Sequence, residues 1–164
     1  MTNNSTKMFH TYNNIHPTAV IYDNVVLGEG NIIGPGVVIG IPGAIRDDLN
    51  YTGRVEIGNN NFIGANAVIV AGYENPTIIG NNNLIMNLAN IGHDVQIYDG
   101  CEIGVGVIIC GYCTIYKCVQ LKVGAIIRNR VQIAAYVKIG MGSVVTKDIL
   151  EPAKTYFGVP AKCR

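Results

Sequence analysis

The residues with the clearest potential for chemistry are His93 and Asp94, which are adjacent in the segment IGHDVQ at 91–96. A carboxylate beside a histidine can hold one imidazole nitrogen and raise the basicity of the other, so the pair could take a proton from an attacking hydroxyl or amino group. The chain has only three histidines, and His10 and His16 both lie near its start. The alternative, which the position of His93 alone favours, is an ordinary solvent-exposed histidine.

The elements that must position His93 follow from a six-residue repeat over residues 79–148. An aliphatic residue recurs at every sixth place, as Ile79, Ile85, Ile91, Ile97, Ile103, Ile109, Ile115, Leu121, Ile127, Ile133, Ile139 and Val145. A period of six fits neither an α-helix nor a long alternating strand. It is typical of hexapeptide repeats that build a parallel β-helix with three hexads per coil. The aliphatic residues should point inward, and residues eighteen apart should stack about 4.8 Å from each other.

Stacking gives His93 two small neighbours. Gly111 should lie one coil above it, and Ala71 one coil below once a four-residue insertion at 71–76 is allowed for. These small residues would leave a groove in which the Gly111 N–H could stabilise an oxyanion. We expect the same column to be rimmed by Tyr112, Arg128 and Arg130.

The 164 residues predict one repeat array with a lead-in at 1–14, a β-helix at 15–150 and a tail at 151–164. Residues 41–54 break the repeat, which returns at Ile57, eighteen residues after Ile39. We therefore expect a protruding loop about one coil long that leaves the columns in phase. The loop is either functional or a tolerated insertion. The tail should lie along the outside of the β-helix.

Composition narrows the function classes. A net charge of +1 without a basic run gives no field for nucleic acid, and no stretch approaches the length of a membrane span. The polar first fourteen residues do not form a secretory signal, so we expect a cytoplasmic protein. Cys110 and Cys113 form a CxxC pair, but a zinc site needs two more ligands nearby, so no metal is expected.

Residues 15–115 resemble the acyl-carrier-protein-dependent UDP-N-acetylglucosamine O-acyltransferases. The matching pieces are IHPTA (15–19), DLNY (48–51), RVEIG (54–58), NLIM (83–86) and IGHD (91–94). The resemblance implies that His93 is the general base, that Asp94 orients it, and that the Gly111 N–H lines the oxyanion site. It also implies that Asp48 contacts the sugar. Asn90 stands where this family has a further histidine, and we assign it to substrate binding.

Residues 93–164 resemble the acetyl-CoA-dependent amino-sugar N-acetyltransferases. The matching pieces are GMGSVVTKD (140–148) and FGVPAK (157–162). This resemblance implies that Val123 and Met141 lie against acetyl-CoA. Lys162 is a cation of the tail that could bind the 3′-phosphate of CoA.

Together these features predict an all-β, left-handed parallel β-helix that forms a homotrimer with active sites at the subunit seams. The expected reaction transfers an acetyl or other acyl group from acetyl-CoA to an amino or hydroxyl group of a nucleotide-linked sugar. Three alternatives remain. One is a lipid A-type acyltransferase that uses acyl carrier protein, and another is a zinc hydratase of the γ-carbonic-anhydrase type, which needs three converging histidines. The third is a β-helix subunit that only mediates assembly.

Overall fold

A computed structural model describes residues 12–43 and 53–164, and in these ranges all regular secondary structure consists of short β-strands. Each hexad gives one strand before the chain turns. In chain order the strands are β1 (Asn14–Ile15), β2 (Val20–Ile21), β3 (Val25–Leu27), β4 (Ile32–Ile33), β5 (Val38–Ile41), β6 (Val55–Ile57), β7 (Phe62–Ile63), β8 (Val68–Val70), β9 (Thr77–Ile79), β10 (Leu84–Ile85), β11 (Asn90–Ile91), β12 (Gln96–Ile97), β13 (Glu102–Ile103), β14 (Ile108–Ile109), β15 (Thr114–Ile115), β16 (Gln120–Leu121), β17 (Ile126–Ile127), β18 (Gln132–Ile133), β19 (Lys138–Ile139), β20 (Val144–Val145), β21 (Thr155–Phe157) and β22 (Lys162–Cys163).

Every third strand pairs in parallel, and the strands form three sheets. Sheet 1 has the order β1-β4-β7-β10-β13-β16-β19-β21-β22, sheet 2 the order β2-β5-β8-β11-β14-β17-β20, and sheet 3 the order β3-β6-β9-β12-β15-β18. In the regular part, partners are eighteen residues apart, as Ile91 with Ile109 and Ile109 with Ile127. The predicted all-β parallel β-helix is confirmed, and the seven strands of sheet 2 mark seven coils.

The core is a stack of aliphatic side chains, one from each hexad. Ile91, Ile109 and Ile127 are each fully buried, and so are their counterparts in the other two sheets. Burial of such a side chain stabilises the fold by about 1.5–3 kcal/mol. Ile15, in the first coil, is 42% exposed, so this core begins above the first hexad.

Smaller residues fill the slots beside the corners, again one per hexad. Cys101 and Cys113 occupy two of these slots, and burial raises the pKa of both thiols to about 11. Both therefore stay protonated and act as compact apolar groups, as their place in the repeat predicts.

Turns between the strands form three columns of corners. Corner I follows sheet 1 and includes Val123, corner II follows sheet 2 and includes His93, and corner III follows sheet 3 and includes Asp99. At corner II, Asp94 has a φ of +57°, a left-handed conformation that aspartate adopts more readily than most residues.

Both insertions leave the β-helix at corner II, the first between β5 and β6 and the second between β8 and β9. The predicted register of the first insertion, with Ile57 one coil above Ile39, is wrong. Ile57 stacks on Leu27 rather than on Ile39, thirty residues apart instead of eighteen, so the insertion adds twelve residues at one corner. The second insertion adds four residues, because Ile79 stacks on Ile57, twenty-two residues before it.

The prediction that the tail lies along the outside of the β-helix is wrong. Thr155–Phe157 adds a parallel strand to sheet 1 beside Lys138–Ile139, and Lys162–Cys163 then pairs antiparallel with it. The ring of Phe157 lies in the space that a side chain at Gly140 would fill. The tail therefore covers the upper end of the coil. Within the described residues, no helix is long and apolar enough to cross a membrane.

Candidate active site

His93 and Asp94 form the turn that follows β11 at corner II. The His93 side chain is 38% exposed, whereas the Asp94 side chain is only 1% exposed. The two side chains are in direct contact, with His93 Nδ1 and Asp94 Oδ2 separated by 2.9 Å. The sequence-based expectation that these two residues pair is confirmed as geometry.

The buried carboxylate of Asp94 also anchors the second insertion. Its two oxygens accept hydrogen bonds from the backbone N–H groups of Tyr73, Glu74 and Asn75, at 2.6, 2.8 and 2.6 Å. Burial alone would raise the pKa of Asp94, but the hydrogen bonds from Asn75, His93, Tyr73 and Glu74 outweigh it and lower the pKa. Asp94 is therefore an ionised carboxylate that joins the insertion to the imidazole.

This contact defines which nitrogen of His93 can act as a base. An ionised carboxylate only accepts hydrogen bonds, so Asp94 requires the proton on Nδ1 and leaves the lone pair of Nε2 free in the neutral ring. Gly111 lies one coil above His93, and the imidazole ring lies against it. A Cβ at position 111 would be 2.6 Å from Nε2 and 2.6 Å from Cε1, so only glycine leaves room for this ring position.

Two further side chains fix the surroundings of the imidazole. Tyr112 packs edge-on against His93, with ring centroids 4.9 Å apart, and the Arg130 guanidinium lies 4.2 Å from the centre of the Tyr112 ring. Burial and the nearby carboxylates of Asp94 and Glu74 raise the pKa of Tyr112, which keeps its hydroxyl protonated. The predicted rim of this column is therefore present, with Arg130 held on an aromatic face.

Other predicted site residues lie on different parts of the prism. Asn90 is exposed on the outer face of sheet 2, in the strand that leads to His93. Val123 and Met141 lie one coil apart on corner I, 50% and 76% exposed, so one chain does not bring them to His93. Lys162, in the tail, lines a groove with Lys147 of corner II. Asp48 lies outside the described residues.

A metal centre was not expected from the sequence. Among residues 12–43 and 53–164, no three His, Cys, Asp or Glu side chains form a group that could hold a metal ion. His16, the second described histidine, hydrogen-bonds to Thr18 in the first coil, far below His93.

Comparison with known proteins identifies the repeat. The model of the family described as "Bacterial transferase hexapeptide (six repeats)" matches residues 11–40. The chain thus carries the repeat of the hexapeptide family. One relative is the probable mitochondrial UDP-3-O-acylglucosamine N-acyltransferase 2 of Arabidopsis thaliana, 35% identical over 150 residues, which are 87% of this chain and 49% of the relative. The corresponding enzyme of Bordetella pertussis is 30% identical, with 88% of this chain and 43% of that protein covered. The chain thus spans about half the length of the curated relatives it matches.

Two solved structures share the fold. LpxA, a UDP-N-acetylglucosamine acyltransferase from Bacteroides fragilis, is 32% identical with a TM-score of 0.85, over 93% of this chain and 60% of LpxA. PerB from Caulobacter crescentus, solved in complex with CoA and GDP-perosamine, is 28% identical with a TM-score of 0.57, over 95% of this chain and 58% of PerB. The overlap with LpxA agrees with the left-handed coiling that the sequence resemblance implied.

Sequence reasoning missed the backbone groups of Tyr73, Glu74 and Asn75 as part of the site. Their side-chain types do not indicate a role in the site, because they contribute main-chain N–H groups. The available signal was the four-residue insertion itself, which falls directly below His93 in the same column.

Substitution of Asp94 by asparagine should disturb both the His93 imidazole and the insertion at 71–76. An amide donor would face the N–H of Tyr73 or the Nδ1–H of His93, which favours the imidazole tautomer with its proton on Nε2. We expect kcat to fall at least tenfold. At neutral pH the variant should also unfold at lower urea concentration than the parent.

The stability difference should depend on pH with a defined sign. The folded-state pKa of Asp94 is depressed, so its stabilisation is complete above the unfolded pKa, about 3.9, and is lost as pH falls through the folded value. Urea titrations at several pH values check this. Asp99→Asn, at corner III, is the matched control and should leave kcat unchanged; an equal loss of kcat in both variants would contradict a specific role for Asp94.

Substitution of Gly111 by alanine should displace the imidazole without unfolding the chain. The backbone of Gly111 is not in the left-handed region, and the three atoms nearest to an added Cβ all belong to the His93 ring. We expect kcat to fall about tenfold or more, with a melting temperature within a few degrees of the parent. Full activity in Gly111→Ala would show that the ring position over residue 111 is not needed.

Proposed function

We propose that the protein is an acyltransferase that moves an acetyl group from acetyl-CoA to an amino or hydroxyl group of a nucleotide-linked sugar. The observation that carries this proposal is the His93–Asp94 pair, which leaves Nε2 free beside Gly111 at an open corner. The relatives support the reaction class, since they are named as acyltransferases of UDP-linked glucosamines, and PerB was solved with CoA and a nucleotide sugar.

The proposed mechanism uses three groups of this chain. Nε2 of His93 takes the proton as the acceptor nitrogen or oxygen attacks the thioester carbonyl carbon, and Asp94 stabilises the resulting imidazolium. Among the described residues none accepts a hydrogen bond from the Gly111 N–H, which can therefore stabilise the tetrahedral oxyanion. Collapse of this intermediate breaks the carbon–sulfur bond, and the imidazolium returns the proton to the CoA sulfur.

A trimer is supported by the outer face of sheet 2. Its outward side chains are β-branched and aliphatic in six of seven coils, namely Val20, Val38, Val68, Ile108, Ile126 and Val144, with Asn90 in the remaining coil. Ile108 and Ile126 are 42% and 37% exposed. The upper part of sheet 3 instead carries Gln96, Thr114 and Gln132 outward. We therefore assign sheet 2 to contact with other copies of the chain.

This assignment explains why the predicted CoA residues are remote from the base. Corner I and corner II are the two edges of sheet 2, because the chain passes from corner I through a sheet 2 strand to corner II. If sheet 2 faces a three-fold axis, corner II of one subunit meets corner I of the next. His93 would then face Val123 and Met141 across the seam, where acetyl-CoA would bind.

A second candidate is acyl transfer from acyl carrier protein to UDP-N-acetylglucosamine. The TM-score of 0.85 with the LpxA acyltransferase favours it. The two functions share the base and the seam and differ in the donor. Steady-state rates with acetyl-CoA and with acylated carrier protein, over a panel of nucleotide sugars, decide between them.

Removal of the base is the principal test. His93→Ala should lower kcat by about 10²–10⁴-fold, with CoA affinity within a fewfold of the parent. A hydroxyl acceptor needs deprotonation, so kcat should fall by a factor near the upper end of this range. A neutral amine needs less help from a base, so the fall in kcat should be near the lower end. His16→Ala is the matched control; essentially full activity in His93→Ala would leave His93 an ordinary exposed histidine.

Disruption of the apolar face should separate the subunits. Ile108→Glu places a carboxylate in the centre of the sheet 2 face, and we expect monomers by light scattering at micromolar concentration, together with loss of most activity. Thr114→Glu changes the equivalent strand position of the next hexad on sheet 3 and should remain trimeric and active. A monomeric parent protein, or an Ile108→Glu variant that remained trimeric, would contradict the assignment of sheet 2 to the subunit contact.

A further inference from the structure

A basic pocket lies above His93 on the same corner and has no part in the chemistry described so far. It is a cavity of about 400 Å³ lined by Arg128, Asn129, Arg130, Val131, Thr146, Lys147 and Asp148. Three of these side chains are cations and one is an anion. Lys162 of the tail lines an adjoining groove that shares Thr146, Lys147 and Asp148 with the pocket. The whole chain has a net charge of only +1, so the concentration of cations here is a local feature.

Both arginines are held in place before any ligand arrives. Arg128 donates from Nη1 to the carbonyl oxygen of Thr146 at 3.3 Å, and Arg130 rests on the Tyr112 ring. The carboxylate of Asp148 accepts a hydrogen bond from the N–H of Gln132 at 2.9 Å, which engages part of its charge. Guanidinium groups held by hydrogen bonds and aromatic stacking suit phosphate, which they bind through paired N–H donors.

We propose that this pocket binds the phosphate groups of the acyl donor, and that the donor is therefore a free nucleotide thioester of the CoA type. The inference rests on the proposed acyl transfer at His93. It assigns Arg128, Arg130 and Lys147, with Lys162 beside them, to phosphate recognition.

The distance from the base supports the donor rather than the acceptor as the source of these phosphates. Arg130 lies two coils above Asp94 and Lys147 three coils above His93 along one column, about 10 and 14 Å at the spacing of neighbouring strands. The pantetheine arm of CoA places a long chain between the thioester and the nearest phosphate. In a nucleotide sugar only part of one sugar ring separates the reacting group from the diphosphate, which would keep that diphosphate near His93.

The experiment measures binding of 3′,5′-ADP, the phosphorylated end of CoA, to the full-length protein by titration calorimetry. Arg128→Gln and Lys147→Gln should each weaken binding about tenfold, the loss expected for one charge-assisted hydrogen-bond partner. Both variants should raise the KM for acetyl-CoA similarly and leave the KM for the sugar within about twofold. Lys138→Gln, an exposed cation on sheet 1, is the matched control and should bind 3′,5′-ADP like the parent.

Several results would overturn the proposal. Equal binding of 3′,5′-ADP by the parent, Arg128→Gln and Lys147→Gln would place the phosphates elsewhere. A rise confined to the KM for the sugar would assign the pocket to the acceptor diphosphate. Turnover with acylated carrier protein, without measurable binding of 3′,5′-ADP, would make this surface a docking site for an acidic protein.

The test separates this inference from the assignment of the base. His93→Ala should bind 3′,5′-ADP as the parent does, because His93 lies below the pocket. If His93→Ala kept full activity while Arg128→Gln no longer bound 3′,5′-ADP, the assignment of the base would be wrong and the assignment of the pocket right. If Arg128→Gln bound 3′,5′-ADP as the parent does while His93→Ala was inactive, the assignment of the pocket would be wrong and the assignment of the base right.

Discussion

The structure depends on the hydrogen bonds between successive coils. Each strand pairs in parallel with the strands one coil below and one coil above, so residues eighteen apart are held about 4.8 Å from each other. In the regular coils, a strand that gained or lost a residue would turn its inward side chain outward. The register shift between β5 and β8 comes after Ile39, at the end of the strand where the first insertion begins. Extra chain can therefore leave only at a corner, and the described structure places both insertions at corner II. The same rule that builds the core thus gathers His93, Gly111 and the insertion at 71–76 in one place.

Asp94 shows how this scaffold makes a site from a corner. A buried carboxylate is costly unless it is fully hydrogen-bonded. Asp94 meets that condition with three N–H groups from the coil below and one from His93. The same bonds that keep the carboxylate ionised fix the imidazole tautomer and the path of the insertion. Loss of the insertion would therefore leave a buried, poorly satisfied charge beside His93, so the insertion and the position of the imidazole depend on each other.

How far the sequence predicts the molecule depends on whether a feature follows from the repeat. The stacking of Gly111 on His93 and the inward isoleucines follow from counting by eighteen and by six. The register of the first insertion could not be obtained in this way, since a gap of eighteen residues is either one full coil or one hexad plus twelve inserted residues. Pairing of Ile57 with Leu27 decides the question. The clamp on Asp94 was also beyond the sequence, because backbone N–H groups carry no residue-specific signal.

The asparagines show the same limit. The runs at 59–61 and 81–83 suit left-handed corners, and Asn60 and Asn82 indeed have φ values of +56°. Asn61 is instead buried: its side chain donates to Asn31 Oδ1 at 3.0 Å and accepts from the backbone N–H of Asn83 at 2.8 Å. One residue type thus serves two unlike purposes one position apart, and only the stacked coils distinguish them.

The charges below His93 at corner II differ from those above it, and this difference bears on how the proposed donor would approach. The carboxylates of Glu74 and Asp94 lie below and beside the imidazole. Three cations, Arg128, Arg130 and Lys147, lie above it together with one carboxylate, Asp148. An anionic donor is attracted to the upper part and repelled from the lower part, since carboxylates and phosphates carry like charge. In the proposed reaction the donor would therefore approach from above, which would bring its thioester carbonyl to Nε2 of His93 and the Gly111 N–H.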